Sequence, residues 1–293
     1  MRQANGISLR AYAKINLSLE VLGKRPDGYH SLRSVMQTVN LYDTVHIKAV
    51  AKENYLKLVT NLPYLPSDSR NIAYKAARLL IDRFGIREGV FISLEKRIPV
   101  SAGLGGGSAD CAAVLIGMRN LFNLSVSRWE LLKIGKELGA DVPFCMTMGT
   151  VLAEGIGERL TRLRPMPKSW FLLARLPIVV STADIFSAYN PDVVEIKHDT
   201  QRLLASIRRG DLPGLCASMA NSLESVTAGI HPVIKELKEL MLINGALGAL
   251  MSGSGPTVFG VFDDKKRAAS AEAAVCERFA DADVFIVRPY NNR

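Results

Sequence analysis

The most constraining feature of this sequence is a glycine-rich loop between an apolar run and a helical pattern. It reads Pro-Val-Ser-Ala-Gly-Leu-Gly-Gly-Gly-Ser-Ala over residues 99–109, after a strand-like run at 90–98 and before a helix-like run at 109–121. Glycine lacks a Cβ, so its backbone can adopt positive φ and bring N–H groups close to an anion. A helix start adds unpaired N–H groups and a positive dipole end. The pattern therefore predicts a strand, a polyphosphate-binding loop and a helix.

Every residue of the loop is a candidate for binding a nucleotide. Ser108 is predicted to be the N-cap of the following helix, with a hydroxyl that can reach a phosphate or a magnesium ion. The loop lacks the Gly-Lys-Ser/Thr ending of a Walker A motif and the third glycine of a dinucleotide fingerprint. A flexible turn that happens to be rich in glycine is the alternative. The candidates are Pro99, Val100, Ser101, Ala102, Gly103, Leu104, Gly105, Gly106, Gly107, Ser108 and Ala109.

Composition limits the class of protein. The chain has 293 residues, of which 48% are hydrophobic and 22% charged, so we expect a globular protein large enough for two domains. Its net charge of +9 predicts an anionic partner. The basic residues are scattered rather than arranged in a stripe, which favours small phosphorylated ligands over nucleic acid.

Cysteine spacing and hydropathy indicate a reducing compartment. The four cysteines lie far apart without a CxxC pair, so we expect neither a disulfide framework nor a zinc site. No apolar run reaches the roughly 18 residues of a membrane span, and no signal-peptide pattern is present. These observations predict a cytoplasmic protein without a membrane partner.

The N-terminal stretch is predicted to be strand-rich. Residues 7–22 alternate apolar and polar side chains, which predicts one long or two short strands with Lys14 and Asn16 on the face opposite the leucines. A solvated outer face is the alternative to a functional role for these two residues, and the stretch that follows weakens that alternative. Further strands are expected at 32–41, 44–50, 55–59 and 90–98, with a helix at 71–84.

Two short segments carry candidate chemistry. The turn-rich stretch 23–30 ends on Tyr29 and His30, which could hold a heterocyclic base by stacking and edge contacts or simply pack the loop. Asp141 lies between Gly-Ala and Val-Pro-Phe. This position predicts an N-cap of a short helix with Pro143 in its first turn, where the positive helix end also suits an ionised base.

The C-terminal half has its own pattern. Two prolines near residue 165 suggest a boundary between domains 1–164 and 165–293. The closing order of strand, strand, helix and strand resembles a ferredoxin-like arrangement. The glycine cluster at 251–257 is either a simple turn or a close approach to a ligand or to the first glycine loop. Expected strands are 150–154, 158–162, 170–176, 246–251, 257–262 and 283–287, and expected helices are 129–138, 200–209, 215–223, 232–243 and 265–279, with another opened by Ser181.

Four of these stretches together resemble the GHMP kinase superfamily. They read Ala-Lys-Ile-Asn-Leu at 13–17, Arg-Pro-Asp-Gly-Tyr-His at 25–30, Gly-Leu-Gly-Gly-Gly-Ser-Ala-Asp at 103–110 and Gly-Ala-Asp-Val-Pro-Phe at 139–144. The resemblance covers residues 10 to about 260. The second and fourth stretches are similar to the branch acting on a cytidine-diphosphate-linked methylerythritol, and unlike homoserine or mevalonate kinases. The resemblance implies an α+β, two-domain fold with a ribosomal protein S5 domain 2-like N-terminal domain and a ferredoxin-like C-terminal domain.

The resemblance also implies an activity. We expect an ATP-dependent, magnesium-requiring kinase of non-mevalonate isoprenoid synthesis that phosphorylates the C2 hydroxyl of 4-(cytidine 5'-diphospho)-2-C-methyl-D-erythritol. Asp141 would be the catalytic base, and Lys14 would keep it ionised and polarise the hydroxyl. Tyr29 and His30 would receive the cytosine, with Phe186 as the opposing ring and Asn16 as a further substrate contact.

Some alternatives remain open. Ala109 follows Ser108 where the superfamily often has a second hydroxyl, so Ser108 is the one side-chain metal ligand that we can name. Another GHMP kinase of the homoserine or mevalonate type is the nearest rival. A non-enzymatic RNA-binding module is a rival of a different class. Either a monomer or a homodimer is compatible with the sequence.

Overall fold

The structure is a computed structural model that describes residues 6–26, 28–191 and 196–291. Asp27, part of the second motif quoted above, lies outside the described residues. The chain separates into two compact units that are each discontinuous in sequence. Of the described residues, the first unit contains 6–13, 41–100 and 105–147, and the second contains 14–26, 28–40, 101–104, 148–191 and 196–291. The predicted domain boundary at 164/165 stays a prediction.

Strands and helices alternate irregularly along the chain, as expected for an α+β protein. The strands are β1 Gly6–Lys24, β2 His30–Val50, β3 Leu56–Thr60, β4 Gly89–Glu95, β5 Thr150–Gly155, β6 Arg159–Arg162, β7 Trp170–Arg175, β8 Ala220–Asn221, β9 Gly248–Met251, β10 Thr257–Phe262 and β11 Asp283–Val287. The helices are α1 Ile72–Phe84, α2 Gly106–Leu121, α3 Arg128–Leu138, α4 Val142–Thr147, α5 Thr182–Ala188, α6 Thr200–Arg209, α7 Leu212–Cys216, α8 Glu224–Ile230, α9 Val233–Ile243 and α10 Lys265–Arg278.

The first unit places the glycine loop at the end of a short sheet. The C-terminal part of β2 pairs antiparallel with β4, and β3 pairs parallel with β4. Helices α1 to α4 pack against one another. Asn71 caps α1 through a bond to the amide of Ala73, and Gly85 ends it in a left-handed conformation. The strand β4 therefore leads through the loop into α2, as the sequence predicts.

The second unit contains a four-stranded antiparallel sheet in the order β11-β7-β10-β9. Numbered along the chain, this order is 4-1-3-2, which confirms the predicted ferredoxin-like arrangement. The sheet is packed by α9 and α10, and its core includes Leu172, Val258 and Phe262. In the same unit, the N-terminal part of β2 pairs with β5, β5 pairs with β6, and β1 pairs with β8.

Two predicted elements differ from those in the structure, and one helix was missed. The strands expected at 32–41 and 44–50 are parts of one continuous strand, β2, because Asp43 is buried within it rather than turning the chain. The helix expected at 215–223 ends at Cys216, since Asn221 forms β8 beside β1 instead. The helix α8 was not predicted.

The face of β1 that carries Lys14 and Asn16 is not solvated. Lys14 is 5% exposed and Asn16 is 3% exposed, while the opposite face is fully buried. Burying an amine and an amide is costly unless both are hydrogen-bonded. The alternative of a solvated outer face is therefore excluded, and the two side chains need partners inside the second unit.

Candidate active site

The glycine loop has a backbone shape suited to anions. Every second residue from Ser101 to Gly105 has a positive φ, with values of 53° at Ser101, 72° at Gly103 and 69° at Gly105. Alternating left-handed and ordinary residues turn successive N–H groups toward a common concavity that binds anions. The sequence indicated this freedom at the glycines, but the positive φ of Ser101 was not foreseen.

The helix α2 begins earlier than the sequence predicts. Its first residue is Gly106 and its N-cap is Gly105, with no side-chain hydrogen bond to the cap. Ser108 is therefore the third residue of the helix, and its predicted role as N-cap is wrong. Because the cap has no side chain, the first amides of α2 are left for an anion to bind.

The second glycine cluster contacts the first loop. The Ser252 hydroxyl donates to the carbonyl oxygen of Gly103 over 3.0 Å. A Cβ built on Gly103 would lie 2.2 Å from the carbonyl oxygen of Ser252 and 3.0 Å from that of Gly255. This confirms the expected close approach of the two glycine segments and shows why residue 103 lacks a side chain.

Lys14 and Asn16 share a buried hydrogen-bond network. The Lys14 ammonium donates to Asn16 Oδ1 over 2.7 Å, and Asn16 Nδ2 donates to the Ser34 hydroxyl over 2.8 Å. Ser34 in turn donates to the carbonyl oxygen of Ser18 over 2.6 Å. Since Ser34 accepts from the amide nitrogen, it fixes the Asn16 amide with its oxygen toward Lys14. Sequence reasoning missed Ser34, which carries no motif signal.

Two of the three rings predicted to bind cytosine, those of His30 and Phe186, lie next to each other. The rings of His30 and Phe186 have centroids 5.3 Å apart and planes inclined by 31°. At that separation the two rings are in contact, so a base cannot lie between them unless they move apart. Tyr29 is 60% exposed and adjoins His30 in the chain. The structure thus joins His30 with Phe186 and leaves much of the Tyr29 ring accessible for stacking.

Asp141 lies at the start of α4, as expected for an N-cap. Its carbonyl oxygen accepts the amide proton of Cys145 over 3.0 Å, and Pro143 is in the first turn. The Ser108 hydroxyl is 3.9 Å from the point that a Cβ on Gly139 would occupy. The Gly-Ala-Asp segment and the beginning of α2 are therefore neighbours within the first unit.

A buried ion cluster below the loop was missed by sequence reasoning. The Lys96 ammonium contacts the carboxylates of Asp43 and Asp110, and all three side chains are almost fully buried. Burial opposes the charge of Lys96, but the two carboxylates raise its pKa above the ordinary value. Burial, with repulsion from Asp43, raises the pKa of Asp110 to about 7, although Lys96 opposes that shift. The sequence signal for this cluster was Asp110, a carboxylate among the apolar residues near the start of α2.

The described residues supply few groups for a metal ion. Within residues 6–26, 28–191 and 196–291, no three His, Cys, Asp or Glu side chains are grouped so as to hold a metal. In the same ranges, no helix has both the length and the apolar character needed to cross a membrane.

The candidate residues are distributed over both units. The first unit holds Asp141 and the two ends of the loop, at 99–100 and 105–109. The second unit holds the middle of the loop at 101–104, together with Lys14, Asn16, Tyr29, His30 and Phe186. Their catalytic and binding roles stay predictions.

Comparison with known proteins gives the class and then the family. The model for the GHMP kinases N terminal domain matches residues 71–149, and the model for the GHMP kinases C terminal domain matches residues 203–281. These matches confirm the α+β, two-domain GHMP kinase fold. A crystal structure of a homoserine kinase from Cytophaga hutchinsonii shares the fold, with a TM-score of 0.79 at 20% identity over 100% of this chain and 96% of that one.

Proteins of higher sequence identity identify the family within this class. A 4-diphosphocytidyl-2-C-methyl-D-erythritol kinase from Clostridium botulinum is 45% identical over 96% of this chain and 99% of its own length. A crystal structure of a 4-(cytidine 5'-diphospho)-2C-methyl-D-erythritol kinase has a TM-score of 0.81 and 33% identity, covering 97% of this chain and all of that one. The chain belongs to the 4-diphosphocytidyl-2-C-methyl-D-erythritol kinase family.

Proposed function

We propose that this protein transfers the γ-phosphoryl group of ATP to the C2 hydroxyl of 4-(cytidine 5'-diphospho)-2-C-methyl-D-erythritol. The products would be the 2-phosphate and ADP, in the non-mevalonate route to isoprenoid precursors. Family membership carries the choice of substrate. The observation that carries phosphoryl transfer is the loop of alternating positive φ that ends at the uncapped start of α2.

The loop would bind the triphosphate through backbone amides. Residues 105–107 are at least partly accessible, whereas Ala102 and Leu104 are buried and anchor the loop. Phosphoryl transfer depends mainly on positioning and charge neutralisation. The amides at the start of α2 and the dipole of that helix would supply part of both.

Asp141 is proposed as the catalytic base. Its carboxylate would accept the proton of the C2 hydroxyl as that oxygen bonds to the γ-phosphorus and the bond to the ADP oxygen breaks. Lys14 would polarise the same hydroxyl, with its ammonium oriented by Asn16. Asn16, Tyr29, His30 and Phe186 would bind the cytidyl substrate.

We propose that magnesium accompanies ATP. Magnesium is commonly bound by substrate phosphates, water and one or two protein groups rather than by a full protein cage. The Ser108 hydroxyl, on the first turn of α2, is the side chain that fits this partial role. The ion would neutralise phosphate charge during transfer. A cytoplasmic location and the absence of nucleic-acid and membrane partners remain predictions from the sequence.

A parallel turnover assay tests the proposal. Purified protein would be given ATP and magnesium with the cytidyl substrate, homoserine or mevalonate, and ADP formation would be measured. We expect ADP with the cytidyl substrate alone. Turnover of homoserine or mevalonate instead would favour another GHMP kinase, and salt-sensitive RNA binding without any ATP turnover would favour the RNA-binding module.

A further inference from the structure

The buried ammonium of Lys96 has no role in the chemistry proposed above. Its side chain is 4% exposed, and its two carboxylate partners are 0% and 5% exposed. Removing one partner from such a buried group leaves an uncompensated charge, which is strongly destabilising. Through Asp43 and Asp110, the Lys96 ammonium is connected to both ends of the glycine loop.

Asp43 fixes the segment that enters the loop. Its Oδ1 accepts the amide protons of Arg97 over 2.5 Å and of Ile98 over 2.8 Å. These are the last residues before Pro99, where the loop begins. The other oxygen of Asp43 contacts the Lys96 ammonium.

Asp110 fixes the segment that leaves the loop. It directly follows Ala109 in α2, and its Oδ2 accepts from the Lys96 ammonium over 2.6 Å. A Cβ on Gly106, the first residue of α2, would lie 3.4 Å from Lys96 Nζ and 3.0 Å from Ile98 Cγ2. The first turn of α2 is therefore packed against the Lys96 ammonium.

We propose that Lys96 is a positioning residue for the nucleotide, because it joins Asp43 to Asp110 and so sets the spacing between the two ends of the phosphate loop. The inference rests on the nucleotide-binding part of the proposed function. Loop amides bind phosphate well only when their positions match the anion, because hydrogen bonds to a charged acceptor are strong but depend on distance and angle. The first turn of α2 keeps its place through the Lys96–Asp110 contact.

Asp110 offers a graded test. Asp110→Ala removes the link between Lys96 and α2, whereas Asp110→Asn keeps an oxygen of the same shape that can accept from the ammonium. Equilibrium binding of ADP and of the cytidyl substrate would be measured for the full chain, with thermal unfolding to verify that each variant is folded. Glu137→Ala is the matched control, since it breaks an exposed ion pair with Arg83 in the same unit.

We expect Asp110→Ala to weaken ADP binding by about tenfold or more, the effect of losing one hydrogen bond to a charged group, while cytidyl-substrate binding changes little. Asp110→Asn should restore most of the ADP affinity, and Glu137→Ala should match the unmodified chain. Equal ADP affinity in Asp110→Ala and the unmodified chain would overturn the inference. So would equal loss of both ligands, because that pattern indicates a general structural role.

The same series separates this inference from the proposed function. If the unmodified chain binds ADP and turns over the cytidyl substrate while Asp110→Ala behaves identically, only the role of Lys96 fails. An unmodified chain that binds no ADP would overturn both proposals. Lys96→Met provides a second variant, and it should lose ADP affinity at least as much as Asp110→Ala.

Discussion

Asp110 is a buried carboxylate in contact with Lys96, and its protonation links stability to pH. Its native pKa is raised to about 7, chiefly by burial. The pKa of an aspartate in the unfolded chain is about 4. Between those values the native state holds a proton that the unfolded state has lost, so the native state is progressively destabilised relative to the unfolded state as pH rises.

We therefore expect the contribution of Asp110 to the free energy of unfolding to be largest below about pH 4 and to be lost as pH rises through about 7. Asp110→Asn cannot titrate, so its unfolding free energy should fall less over that range than that of the unmodified chain. Denaturant unfolding at several pH values measures the difference. Parallel curves for the two proteins would contradict the raised pKa.

Asp141 is predicted to act on a proton rather than to hold the fold. Asp141→Asn should lower turnover by about a hundredfold to ten-thousandfold, the usual contribution of a general base. ATP affinity should be unchanged, because the loop amides remain. Steady-state kinetics and nucleotide binding test this together. Turnover near that of the unmodified chain would exclude Asp141 as the base.

Tyr29 is predicted to affect only the cytidyl substrate. Stacking of a base on an aromatic ring contributes about 1–3 kcal/mol, so Tyr29→Ala should weaken binding of that substrate by about five- to 150-fold. The KM for ATP should not change. Unchanged affinity for the cytidyl substrate would refute the stacking role, and Tyr29→Phe, which keeps the ring, serves as the control.

At the scale of residues, the sequence revealed groups that lie within a motif. Lys14 and Asn16 became candidates because their stretch resembles the kinase family, and Asp141 also because it adjoins an apolar Val-Pro-Phe segment. Ser34 and Asp43 were missed, because a lone serine or aspartate in a strand has the same appearance whether it is buried or solvated. Their partners lie 18 and 53 residues away in the chain.

At the scale of elements, local signals gave most helix boundaries. Asn71 and Gly85 bound α1, and Ser127 with Glu130 forms a capping box that starts α3. The predictions failed where tertiary contacts overrode local preference. Asp43 looked like a turn residue, yet its bonds to Lys96 and to two backbone amides keep it within a continuous strand.

The contact between the two glycine segments can be tested at Gly103. Gly103→Ala would place a Cβ 2.2 Å from the Ser252 carbonyl oxygen, at a residue whose φ is +72°. A left-handed alanine alone costs about 1–2 kcal/mol, so we expect a lower midpoint of thermal unfolding. Gly107→Ala is the stability control, because its nearest contact would be 3.7 Å from Ile72 Cδ1. Equal midpoints for both variants would contradict this packing.

At the scale of the whole molecule, the four cysteines predict a simple labelling pattern. Cys111, Cys145 and Cys216 are buried, and Cys276 is exposed. Burial raises the pKa of Cys216 to about 12 and also raises that of Cys111, which keeps both thiols protonated and unreactive. We expect a native chain to react with a thiol reagent quickly at one position, and Cys276→Ser to abolish that reaction. Fast labelling of a second thiol would contradict this.

The ferredoxin-like order could be inferred from the succession of elements, because each strand and helix from residue 246 onward carries its own periodic pattern. The sequence did not show which segments of the chain make up each of the two units. Asn16 and Ser252 are 236 residues apart in the chain, yet the backbone N–H of Asn16 donates to the Ser252 hydroxyl over 3.4 Å. No local pattern reports such a pairing.

The last strand pairings also involve distant parts of the chain. The amide of Asn40 donates to the carbonyl of Arg288, and the amide of Tyr290 donates to the carbonyl of Thr38. Residues 38–40 of β2 therefore gain these backbone partners only after residues 288–290 have been synthesised, whereas the rest of β2 pairs with β4 and β5 earlier. Until then this short stretch of β2 keeps an unpaired strand edge, which is a template for aggregation in a partly folded chain.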